Sequence, residues 1–125
     1  EKKLIKDKNQ SIALNMEVSV DELGIANKVA KVIQNANQLN FSRNVADEVF
    51  KVANGRYNVI VFTSNSAYKY NFNEIKFSSL TNYNGVPYYI WVFEHGRFEM
   101  NHNKGNYSYR GWFRVNDPYV AFYRE

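Results

Sequence analysis

The segment Val86-Pro87-Tyr88-Tyr89-Ile90-Trp91-Val92-Phe93-Glu94-His95-Gly96-Arg97-Phe98 reads as extended chain, because aromatic and β-branched side chains favour a pleated surface. With a period of two, Tyr88, Ile90 and Val92 share one face, and Tyr89, Trp91 and Phe93 share the other. Pro87 lacks an N–H and belongs at the start or on the free side of such a strand. Asn84-Gly85, just ahead, predicts a two-residue hairpin from Tyr83 to Val86. His95-Gly96 predicts a turn that ends the strand. Both faces carry large apolar rings, so each must be covered or displayed.

Toward the N-terminus the periodicity changes. Residues 11–20 alternate, with Ile12, Leu14, Met16, Val18 and Val20 on one side and Ala13, Asn15, Glu17 and Ser19 on the other, which predicts a strand with one buried face. Asp21 then offers an N-cap. Leu23, Ala26, Val29, Ala30, Ile33 and Ala36 recur at helical spacing, predicting an amphipathic helix to about Gln38, with Gly24 permitting close packing near its start. Ser42 reads as the cap of a second helix, with Phe41 stapled against Val45 or Ala46 and Asn54-Gly55 as its left-handed stop. Residues 57–62 are apolar except at Asn58, as in a central strand covered on both sides.

Beyond that strand the chain alternates between strand and turn: strands over 68–72 and 75–83, turns at Asn103-Lys104-Gly105-Asn106 and Asn116-Asp117-Pro118, and a last strand from Tyr119. The predicted fold is α+β: two N-terminal helices packed on one face of a curled antiparallel meander sheet of about six strands. Residues 1–10 are expected as a flexible basic tail and 11–125 as one domain. Two short helices cannot cover both faces of such a sheet. It must curl on itself, pair with another chain, or leave a face to solvent.

Composition narrows the function classes. The 125 residues contain no cysteine, which excludes zinc ribbons, iron–sulfur clusters and thiol nucleophiles. The net charge is +4, half of it from lysines in the first ten residues, and the nearly balanced body argues against a nucleic-acid partner. No apolar run is long enough to span a bilayer as a helix. A first residue of Glu1 rather than Met fits a processed or trimmed chain, so nothing here argues against export.

No catalytic set emerges. The serines lack a nucleophile elbow, the six glycines are isolated, and no cofactor or metal is expected. His95 and His102 lie near opposite ends of one short element, poorly placed to share a metal. Glu94 with Glu99 or Asp117 is the pair a wall hydrolase would need, although acids in a strand-and-turn region are mostly edge or turn residues. What remains is the aromatic concentration: 12 of 21 aromatic residues lie between Tyr88 and Glu125. Polar-tipped rings stack on sugars and suit membrane interfaces, and equally fill cores.

Several segments resemble the YvgO-like secreted stress proteins of bacilli, to some of which antifungal activity is attributed. The similarity runs through residues 23–27 (Leu-Gly-Ile-Ala-Asn), 57–62, 90–98, Arg110-Gly111-Trp112-Phe113 and residues 120–124. Those relatives carry a Gly-Asp-Gly-Gly turn followed by two tryptophans. Here the turn is Asn103-Lys104-Gly105-Asn106, without the acid, and the aromatic positions hold Tyr107 and Tyr109. The resemblance implies a secreted, non-enzymatic stress or antimicrobial protein. The residues assigned to ligand binding are Tyr89, Trp91, Tyr107, Tyr109, Arg110 and Trp112, facing cell-wall glycan or a membrane surface. The alternative is a protein–protein module (inhibitor, immunity factor or homodimer) using the same aromatic face.

Overall fold

The computed structural model describes residues 3–7, 14–64, 68–100 and 106–125. In chain order these form β1 (Lys3–Asp7), β2 (Leu14–Asp21), α1 (Ala26–Gln34), α2 (Phe41–Val52), β3 (Asn58–Thr63), β4 (Lys69–Tyr83), β5 (Val86–Glu99), β6 (Tyr107–Arg110), β7 (Phe113–Asn116) and β8 (Tyr119–Phe122). The class is α+β, as expected. The helices are not N-terminal, however: they lie mid-chain, after two strands. Seven strands follow from Leu14 onward, and β1 adds an eighth within the segment expected as a flexible tail, pairing antiparallel with β2.

The sheet is antiparallel but not a meander. Its order is β1-β2-β4-β5-β3-β6, so β3 sits between two strands that follow it in the chain. β3 can occupy that place because all six of its residues are buried. The Asn84-Gly85 hairpin forms as read: both residues have positive φ, and the Gly85 N–H donates to Asn82 Oδ1 at 3.0 Å. The two strands expected over 68–72 and 75–83 are one 15-residue strand, bulged between Ile75 and Phe77 and with Glu74 at φ 55°.

His95-Gly96 does not end β5. Gly96 instead lets two backbones meet, because a Cβ there would overlap the Asn71 carbonyl oxygen and lie 2.9 Å from Phe72 Cα. At this point β5 keeps β4 as one neighbour but exchanges β3 for β8, which pairs with Gly96 to Glu99. The far halves of β4 and β5 thereby leave the plane of the main sheet. The sheet curls on itself, one of the three outcomes its short helices allowed.

Two cores result, one for each face of β5. Under the helices lie Met16, Val18, Val29, Ile33, Phe41, Val45, Val49, Val59, Val61, Phe77, Ile90 and Val92. Inside the curl lie Ile60, Phe62, Phe93, Phe98, Met100, Val120 and Phe122. Burying that many large apolar side chains, each contributing about 1.5–3 kcal/mol, is what holds the helices and the curl in place. Phe41 is buried in one cluster with Val45 and Ala46, stacked on Tyr83 at 4.1 Å and tilted against Tyr88 at 4.5 Å.

The helix boundaries shift for local reasons. Asp21 does cap α1, but across a turn: its carboxylate accepts from the N–H groups of Ile25 (2.8 Å) and Ala26 (3.1 Å), which delays the helix to Ala26. Gly24, at φ 67°, belongs to that turn and has open space beside it, so it serves the backbone path and not close packing. Ser42 is inside α2, where its hydroxyl meets Asn106 and Ser108 and caps nothing. Asn54 and Gly55 stop α2 with positive φ, as expected.

Candidate functional site: an aromatic groove on the open half of the sheet

The curl covers only part of the face opposite the helices. Where it ends, over β2, β4 and the first half of β5, a groove of about 370 Å³ is lined by Glu17, Ser19, Tyr70, Ser78, Leu80, Tyr89 and Trp91, along with Ser79. Alternation puts them there. Glu17 pairs with Leu80, Leu80 with Tyr89, and Ser78 with Trp91, so neighbouring strands present these side chains on one face. Tyr70 arrives from the folded-over half of β4. Its ring lies 5.8 Å from that of Trp91 and 5.2 Å from that of Phe62, while Tyr89 and Trp91 are 6.2 Å apart.

One detail distinguishes this groove from a packed wall. The Trp91 indole Nε1 is buried and has no hydrogen-bond acceptor among the described residues. A buried donor left unmade costs about 1–3 kcal/mol. Tyr70 beside it is 39% exposed, and burial, followed by the neighbouring Tyr89 phenol, raises its hydroxyl above the ordinary tyrosine value. The phenol therefore stays neutral at physiological pH, a donor as well as an acceptor.

The six residues assigned from sequence do not share one face. Tyr89 and Trp91 line the groove. Tyr107 and Tyr109 lie on the same side of the sheet but at the other end, inside the curl. Tyr107 packs on Phe98 (5.6 Å) and Tyr68 (5.7 Å), and Tyr109 meets Phe113 and Phe122 edge-on at 4.8 and 5.7 Å. Burial raises both phenols, for Tyr107 with added repulsion from Tyr109 and Asp117. Arg110 and Trp112 sit on the opposite side, against α2. Arg110 pairs with Asp47, and the Trp112 ring packs 5.9 Å from Phe50. Both are half-buried parts of the helix packing.

The acids and the described histidine have other partners. Glu94 accepts from Lys76 (3.3 Å) and Arg124 (3.0 Å), and His95 lies 3.3 Å from Glu74, which also pairs with Arg124. The hydrogen bond to Glu94 raises Lys76 above the usual lysine value. Glu94 is thus part of a charge network at the bend of β4 and β5. His102 and most of the Asn103–Asn106 turn lie outside the described residues.

Sequence reading missed Tyr70, Ser78 and Leu80 as groove residues. Glu17 and Ser19 carried a signal, since both fall on the polar side of β2. Tyr70 carried none, because its place depends on β4 folding back.

Comparison with known proteins agrees with the motifs. The chain is 37% identical over 114 residues to the stress response protein YvgO of Bacillus subtilis (strain 168), covering 89% of this chain and 71% of that one. No protein-family model matches the chain. No solved structure matches it either.

Proposed function

The chain belongs to the YvgO-like family, and from that premise we propose that it is a secreted bacterial stress-response protein of antimicrobial, antifungal type. On this reading it binds cell-envelope material through the Tyr70–Tyr89–Trp91 groove and catalyses no reaction. The stress-response role is supported by the relative's name. Export is supported by the resemblance to a family described as secreted. Binding rests on one observation above the others: a groove walled by three aromatic rings holds a buried indole N–H with no acceptor.

The test is co-sedimentation of the protein with insoluble fungal and bacterial wall material, in wild type and in Tyr89→Ala. Wild type is expected in the pellet and the variant in the supernatant, with circular dichroism confirming that the variant is folded. Equal partition of both would remove the groove from the reading, and a wild type that stays in solution would remove envelope binding altogether.

The protein–protein alternative is favoured by a different surface. In β7, Phe113 is 43% and Val115 50% exposed, and Tyr123 beside it is 52% exposed. Among the described residues β7 pairs only with β8, which leaves an apolar edge there for another strand. Sedimentation equilibrium tests it: a dimer dispersed by Val115→Lys would favour this reading.

A further inference from the structure

We propose that the groove between β2, β4 and β5 is a subsite for one pyranose unit of a glycan. This rests on the envelope-binding reading and goes further by naming the ligand class.

Its dimensions and its two kinds of wall carry the argument. A volume of about 370 Å³ is at the small end of ligand pockets and suits one or two sugar rings. One wall is flat and aromatic (Tyr70, Tyr89, Trp91), matching the C–H face of a pyranose. The other is hydrogen-bonding, with Ser19, Ser78 and the Glu17 carboxylate, matching a rim of hydroxyls. An acyl chain has no use for that second wall.

The unmet indole donor fits the same ligand. A sugar oxygen or acetamido carbonyl supplies the acceptor that the fold withholds from Trp91. Tyr70 is the ring that can give way, being 39% exposed and carried on the folded-over half of β4. Its rotation toward solvent is the movement that opens the indole edge to the ligand.

The test is calorimetric titration of the 125-residue chain with chitotetraose, laminaritetraose, and vesicles of phosphatidylcholine with phosphatidylglycerol. A tetrasaccharide is expected to bind, with no heat from the vesicles. Trp91→Phe keeps an aromatic ring but removes the N–H, and is expected to weaken binding about tenfold, the equivalent of one hydrogen bond to a buried donor. Should Trp91→Phe fail to fold, Ser19→Trp fills the groove from an exposed position and is expected to abolish binding.

Sugar binding unchanged in both Trp91→Phe and Ser19→Trp overturns the proposal, as does binding of only the vesicles. If wall material still sediments the protein but neither tetrasaccharide binds, the subsite falls and the envelope reading stands. If nothing binds, both fall.

Discussion

Replacing Asn58 by Leu should cost this protein a large part of its stability, although the side chain touches no ligand. Asn58 is 1% exposed at the start of an otherwise apolar strand. Its amide Nδ2 donates to the carbonyls of Glu94 (2.8 Å) and Tyr123 (2.9 Å), and its Oδ1 accepts from the N–H of Trp112 (2.7 Å). One side chain therefore ties β3 to β5, to the end of β8, and to the link between β6 and β7. Gly111 makes this approach possible, since a Cβ there would overlap Asn58. Leu is close in size, so the substitution removes hydrogen bonds without opening a large cavity. Three bonds at about 1 kcal/mol net give about 3 kcal/mol, rising toward ~5 kcal/mol if all three backbone groups stay dry. Urea unfolding followed by circular dichroism reads the difference directly, and the thermal midpoint should fall by roughly 10 °C. Asn58→Asp sharpens the test. At neutral pH it turns carboxylate oxygens toward two carbonyls, so it should be at least as damaging, recovering partly in acid as the carboxyl protonates and can donate once. If both variants unfold within about 1 kcal/mol of wild type at neutral pH, the hub assigned to Asn58 is refuted.

Gly96→Ala should be destabilised by about 1–3 kcal/mol or more, because the new methyl meets the Asn71–Phe72 backbone, which has no side-chain freedom with which to yield; a wild-type urea midpoint would contradict the close approach. Burial raises the phenols of Tyr70, Tyr88, Tyr107 and Tyr109 above 10.0, so their contribution is intact below that pH and is lost as pH climbs through the raised folded values. Phenolate absorbance during alkaline titration should accordingly lag and then rise with unfolding, whereas simultaneous titration of all ten tyrosines at the ordinary value would count against the buried placement. Arg110→Ala breaks a part-exposed pair with Asp47 and should lower stability by no more than about 1 kcal/mol, leaving wall and sugar binding at wild-type levels. Loss of binding in that variant would return Arg110 to the site.

The motifs shared with the family now have physical reasons. In residues 90–98 the apolar side chains divide between the two cores, and Gly96 is the contact point at which β5 changes neighbours. In the Arg110–Phe113 segment, Gly111 lies against Asn58 and the Trp112 N–H donates to Asn58 Oδ1. These residues hold the framework together. Tyr107 and Tyr109 pack within the curl and stack on each other at 6.3 Å.

Periodicity by itself determined the faces: Met16 and Val18 inward and Glu17 and Ser19 outward in β2, Tyr88, Ile90 and Val92 toward the helices and Tyr89, Trp91 and Phe93 away from them. It also determined both helices and the turn at Asn84-Gly85, because side-chain direction and turn conformation depend on a few adjacent residues. Partners were beyond it. That β3 lies between β5 and β6, that β4 and β5 run unbroken through Glu74 and Gly96, and that Tyr70 returns to face Trp91 depend on pairings between distant residues. Alternation is the same whether a ring fills a curl or walls a groove. Only the register of non-local strands decides which: all four rings are half-buried, but here it packs Tyr107 and Tyr109 on the rings of the curl and leaves Tyr89 and Trp91 lining the groove.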